Sequence, residues 1–269
     1  MNKVFVLCLA LMLVSSVSAV ADFSKAKKVR NNLYYLGEAE IEGLAVQGYA
    51  VVSTAKVNGS EKFKSKECFA YIAEGMKWKS AEPCVINAAN TEGMDPSEVV
   101  SKFKDSINTW EKANRKDLIK EVYVTNQPLS IDPYSPDGFN EIYFDDIPIP
   151  GAVGVTLLWG TFGAPVEDRY ILEWDQLYND VDYDWSIDCE VEDCSSKMDF
   201  QSVATHELGH TVGMNDLYND ACGDATMYGY VTEGETKKRN LDKGDRFGLR
   251  SLYRGFSFLI EKIKGRFKV

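Results

Sequence analysis

The chain has 269 residues, 45% of them hydrophobic, enough for one sizeable domain with an appended segment. Its net charge of −11 gives the surface a field that repels phosphate, which excludes nucleic acid as an expected partner. Histidine is used only twice and cysteine six times, so each occurrence constrains the reading.

Residues 1–21, MNKVFVLCLALMLVSSVSAVA, have the lysine, apolar run and small-residue ending of a secretory signal. The run from Val4 to Val14 is too short to span a bilayer, so no stable membrane insertion is expected and the protein is read as secreted and extracellular. Cys8 leaves with the signal, and the odd number remaining cannot all pair within one monomer.

Residues 22–77 are rich in Lys and Glu with short β-like runs such as LAVQGYAVVSTAKV. They read as an N-terminal extension or prosegment, or equally as a small structural subdomain. A different pattern, spanning 78–255, begins near Trp78 with the strand-like PCVIN. In DPSEVVSKFKDSINTWEKA, Asp95 is an N-cap and Pro96 the first helical residue, with Val99, Phe103, Ile107 and Trp110 on one buried face. KEVYVTN, EIYFDDI, GVTLLWG and RYILEWDQLY follow as strands. DFQSVATHELGHTVGM then reads as a helix capped by Asp199 and stopped at Gly213. LDKGDRFGLRSLY suggests a last helix with Leu241, Phe247, Leu249 and Leu252 inward, and residues 256–269 form a basic tail.

The two histidines, His206 and His210, are four apart on the expected helix and therefore share a face, with Glu207 beside them. A catalytic zinc usually takes three protein ligands, and no histidine remains to be the third. A carboxylate, a thiolate or another oxygen must serve. Gly213 permits an abrupt exit that turns Asp216 back toward the pair, and Asp216 is the expected third ligand; Glu233 and Glu235 are the competitors.

HELGHTVGMND resembles the zinc-binding motif of metzincin proteases, with aspartate where most members have a third histidine, as in the snapalysin-like minority. Trp78, PCVIN, the helix ending at Trp110 and the closing GDRFGLRSLY follow the order of elements in matrixin-like catalytic domains. The resemblance implies an α+β fold of the zincin type: a mixed twisted sheet, an active-site helix, and a small C-terminal subdomain with a Met-turn. It makes His206, His210 and Asp216 zinc ligands, Glu207 the general base and Met227 the floor beneath the metal. The implied activity is that of a zinc endopeptidase acting on protein or peptide substrates. The histidines that hold a second, structural zinc in animal matrixins are absent, as is a cysteine-switch motif. By the same resemblance the substrate lies along an edge strand, for which GAVGVTLLWG is the candidate.

The stretches NDVDYDWSIDCEVED and DPYSPDGFNE carry oxygen donors of the kind calcium uses, without a regular loop spacing. Cys189 and Cys194 are close enough to pair, with Cys222 as an alternative for either, and Cys68 with Cys84 forms another candidate pair. A free Cys68 thiol is a further candidate for holding the zinc latent. Two other readings of the motif stand beside the endopeptidase: a noncatalytic secreted zinc-binding module, and a zinc amidase or aminopeptidase.

Overall fold

The computed structural model describes residues 20–55 and 68–254. Residues 1–19 of the expected signal, and the basic tail 256–269, lie outside those residues. Three strands open the chain, β1 (Lys27–Arg30), β2 (Leu33–Ile41) and β3 (Leu44–Ala55). The short β4 (Lys77–Trp78), β5 (Glu82–Ile86), helix α1 (Pro96–Asn114), β6 (Ile119–Val124) and β7 (Glu141–Asp145) follow. Next come β8 (Ala152–Gly160), β9 (Tyr170–Asn179), β10 (Trp185–Ser186), β11 (Met198–Asp199) and helix α2 (Phe200–Thr211). β12 (Tyr230–Val231) and helix α3 (Lys243–Arg254) close the chain.

Ten of these strands make one mixed sheet, in the order β1-β2-β3-β8-β9-β7-β5-β6, with β12 alongside β3 and β4 alongside β9. Pairing is parallel from β6 through β5 and β7 to β9, then antiparallel through β8, β3, β2 and β1. The result is α+β. Residues 27–55 are therefore not a separate layer, because their strands continue the sheet of the rest of the chain.

The helices cover one face. Val99, Phe103, Ile107 and Trp110 of α1 are buried there with Phe200, Val203 and Leu208 of α2 and Leu249 of α3. At the N-terminus of α1 the Asp95 carboxylate accepts hydrogen bonds from the Ser97 and Glu98 amides, and Pro96 costs nothing where no amide hydrogen bond is needed. Residues of the extension help cover the other face: Phe23, Leu36, Ala50 and Val52 pack with Tyr143, Val155, Leu157 and Leu177.

GAVGVTLLWG is a strand, but not an edge. β8 lies between β3 and β9, and all nine of its residues are buried. Its sequence shows no alternation because both faces pack against something.

On the face away from the helices, Glu173 and Asp175 of β9 lie near Glu141 of β7 and Asp137. Glu173 accepts from the Asp137 and Gly138 amides, and Asp175 from the Glu141 amide. Burial, with help from Asp137, raises the Glu141 and Glu173 carboxyls from 4.5 to about 7. Between about pH 4.5 and 7 the folded chain then holds more protons here than the unfolded chain, so this region loses stability as pH rises. Glu173→Gln is expected to flatten that decline, read as urea midpoints across the range; an unchanged slope counts against the argument.

Candidate metal centre

The site begins with a local device, the cap of α2. The Asp199 carboxylate accepts from the Ser202 amide, and its other partner is the guanidinium of Arg239, with Nε at 2.9 Å. The helix then runs buried through both histidines. Its packing on α1 is tight at Gly209, where a Cβ would meet Met227 Sδ at 2.1 Å and Trp110 at 2.7 Å. Only glycine lets Met227 lie this close between the two histidine positions. Trp110 also donates its indole N–H to the Thr205 carbonyl at 2.7 Å. After α2 the chain turns at Gly213, whose φ of +92° suits glycine, and returns as Met214 to Leu217.

That return brings Asp216 beside the histidines. Its Oδ1 is 3.1 Å from His206 Nε2 and 3.5 Å from His210 Nε2, and the two Nε2 atoms are 3.2 Å apart. Each Nδ1 faces a backbone carbonyl, Thr226 O at 2.7 Å for His206 and Met214 O at 3.0 Å for His210. Carbonyls only accept, so Nδ1 carries the proton in each neutral ring and Nε2 presents a lone pair. Two lone pairs and a carboxylate oxygen therefore converge with no hydrogen between them, and Asp216 Oδ1 has no hydrogen-bond donor. A divalent cation resolves that arrangement, and the nitrogen and oxygen donors are those zinc takes. Among the described residues, these three form the one group of histidine, cysteine or acidic side chains placed to hold a metal ion. Glu233 and Glu235 are not in it, and Glu235 instead pairs with Lys237.

Electrostatics follow from burial. Desolvation lowers the His210 imidazole against the pull of Asp216, which favours the neutral ligand form. Burial works to raise the Asp216 carboxyl, but His210, His206 and the Tyr218 hydroxyl together hold it below its ordinary value. Burial raises Glu207, opposed by His210 and by the Ser53 and Thr156 hydroxyls. Thr156 donates to Glu207 Oε2 at 2.6 Å, whereas Oε1 has no partner; the Ser53 hydroxyl lies close to the carboxyl without an aligned bond.

Several of these partners escape a reading by motif. Tyr218 donates its hydroxyl to Asp216 Oδ2 at 2.9 Å, and nothing in its spacing marks it. Thr156 is the one polar side chain in the apolar run AVGVTLLWG, a signal that was there to be used. Asp245 is wholly buried and accepts from the Thr226 and Met227 amides, fixing the turn beneath the histidines. Lys238, equally buried, donates to the Thr226 and Tyr228 carbonyls, and burial lowers its ammonium to about 8.

The cysteines pair as Cys189–Cys194 and Cys68–Cys222. Cys68 therefore pairs with neither the metal nor Cys84. Cys84 points from β5 into the core, where burial pushes its thiol up to about 12. The acidic stretches supply no further metal group among the described residues.

Comparison with known proteins agrees with the elements around this centre. The matrixin profile, Peptidase_M10, matches residues 77–254. Metalloendoproteinase 4-MMP of Arabidopsis thaliana is 26% identical over 196 residues, covering 71% of this chain and 52% of that protein. Matrix metalloproteinase-2 of Drosophila melanogaster is 28% identical over 192 residues, covering 68% and 22%. Karilysin of Tannerella forsythia is 25% identical over 190 residues, covering 71% and 36%. The chain thus spans about half or less of the length of these curated relatives. With the profile running from β4 through α3 and so taking in both histidines, Asp216 and Met227, the chain belongs to the matrixin family.

Proposed function

We propose that the chain is a secreted zinc endopeptidase in which His206, His210 and Asp216 hold the metal and Glu207 is the general base. The observation that carries this reading is the convergence of three buried acceptor atoms, with no proton among them, one helical residue from a carboxyl of raised pKa. Zinc bound there supplies a Lewis acid, which lets a water molecule attack at neutral pH and offsets charge on the attacked carbonyl oxygen. Glu207 Oε1, free of hydrogen bonds, takes the proton from the attacking water, and Thr156 keeps the carboxyl aimed by holding Oε2. The same carboxyl returns the proton to the leaving amine, a task its raised pKa suits. Met214 and Thr226 hold the rings in one tautomer through their carbonyls. Secretion rests on residues 1–21, and two disulfides agree with an oxidising compartment.

The test is zinc content per chain together with cleavage sites mapped by mass spectrometry on casein. One zinc and internal cuts are expected. Release of terminal residues alone would make the chain an exopeptidase, and zinc uptake with no cut in any processed form would favour a noncatalytic module. Tyr218→Phe removes the hydroxyl that steadies Asp216 and is expected to weaken zinc binding about 10- to 100-fold, as loss of such supporting bonds does elsewhere. Competition with a chromophoric chelator reads this; an unchanged affinity would leave Tyr218 without a role at the metal.

A further inference from the structure

A groove of about 700 Å³ lies along β5 and the tip of the β2–β3 hairpin, and no residue of the metal centre lines it. Cys84 and Ile86 of β5 point into the core with the helices, so Val85 and its neighbour Tyr123 on β6 face the other way. Both line the groove with Phe139, and Tyr123 and Phe139 are more than half exposed. Exposed aromatic surface gathered at a groove, rather than scattered singly, marks a docking site. Glu40, Glu42, Glu82 and Asp137 also line it, and none of the four forms an ion pair among the described residues. Lys79 is the cation of the lining, and its ammonium lies over the Tyr170 ring at 5.3 Å. Trp78, another lining residue, is 6% exposed, yet its indole N–H has no acceptor among the described residues. A buried donor without a partner is costly, so a seated peptide carbonyl is a gain there.

Helix α3 ends beside this groove. The Tyr253 hydroxyl accepts from the Trp78 amide at 3.2 Å, and the Lys77 ammonium donates to Leu252 O at 3.2 Å. A smaller depression lined by Tyr253, Asn114 and Leu118 shares Trp78, Lys79 and Ser80 with the groove, which makes a continuous path from the helix end into it. The residues that follow, GFSFLIEKIKGRFKV, carry four cations against Glu261. Phe256, Leu259, Ile260, Ile263 and Phe267 recur at the spacing of one helical face, with Lys262 and Arg266 on one flank of it and Lys264 and Lys268 on the other.

We propose that residues 255–269 dock in this groove, with their apolar face on Val85, Tyr123 and Phe139 and their cations on the acidic rim. Charge and connection both single out this occupant. Four carboxylates without ionic partners favour a cationic segment, and the tail is tethered at the groove's entrance, where attachment keeps its local concentration high. A lipid surface is the rival for a basic amphipathic segment, but it offers no such tether. Seated in the groove, the tail fixes the end of α3, whose Asp245 holds the turn beneath the histidines. The proposal is independent of the peptidase chemistry.

The test is zero-length carbodiimide cross-linking of the full chain, read by mass spectrometry, with isotopically light and heavy chains mixed to separate links within a chain from links between two. Links within one chain from Lys262, Lys264 or Lys268 to Glu40, Glu42, Glu82 or Asp137 are expected. Ile260→Asp keeps every tail cation but removes an apolar anchor, and is expected to lower these links at least about tenfold, as loss of one buried apolar side chain does. Unchanged links in that variant would reduce the contact to loose charge attraction and overturn the docking. Glu40→Lys with Glu42→Lys, both at exposed positions, is expected to lower the links to Glu82 and Asp137. Reversing the tail as well, with Lys262→Glu and Lys264→Glu, is expected to restore linkage between tail and rim. A folded chain whose tail lysines reach no groove carboxyl overturns the proposal, and its sedimentation with phosphatidylserine vesicles would then assign the tail to a lipid surface. Links found only between two chains also overturn it, and give the groove to a second copy.

Discussion

Glu207→Ala is expected to lower peptide hydrolysis by about 100- to 10,000-fold, the range of a lost acid–base group, with zinc content unchanged. The reason is positional. Glu207 carries the carboxyl beside the histidines that is not committed to the metal group, and its Oε1 has no hydrogen bond to give up. His206 and His210 cannot substitute, because each Nδ1 proton is committed to a carbonyl and each Nε2 faces the metal position. Glu207→Gln separates shape from basicity, since it keeps the length and a partner for Thr156 but cannot take the proton. Both variants should be equally impaired when compared in the same processing state as wild type. A Gln variant with wild-type kcat, or an Ala variant that loses its zinc, would remove Glu207 from the proton transfer.

Asp216→Ala is expected to abolish activity and weaken zinc binding by more than the roughly 100-fold that marks loss of a merely supporting bond. Without that oxygen the metal position retains two imidazoles, one ligand short of a usual catalytic site. A metal that binds only the folded chain raises its melting temperature by an amount that grows with the logarithm of its affinity. The gap between zinc-loaded and chelator-treated melts should therefore close in this variant. Asp216→His should restore binding. A neutral imidazole leaves more positive charge at the centre than a carboxylate, so the acidic limb of the activity profile should then move to lower pH. Wild-type zinc affinity in Asp216→Ala would transfer the role to another oxygen, with Glu233 and Glu235 the first to examine.

Legibility followed the range of the interaction. Asp95 and Asp199 as caps, and the buried stripe of α1, depend on residues within a turn or two of each other, and they were readable. The placing of both histidines on one helix is of the same kind. Asp216 is intermediate: the turn at Gly213 is local, but its side chain is held by Tyr218 and by rings on another element. Asp245 and Lys238 were silent in the sequence, because an isolated Asp or Lys reads as a solvated residue until the fold buries it.

The amino-acid sequence alone determined the helix with its two imidazoles and adjoining carboxyl, the run of strands, and the departure from a three-histidine ligand set. Tertiary structure alone decided that Cys68 meets Cys222, across 154 positions of chain, and that β3 rather than open solvent lies along β8. The physical reason is that a helix is closed by bonds between neighbours in sequence, whereas a strand offers the same amide and carbonyl groups to every other strand. Which neighbour it takes is settled by which faces are buried together, and here Ala50 and Val52 on one side and Val51 on the other bring β3 against β8.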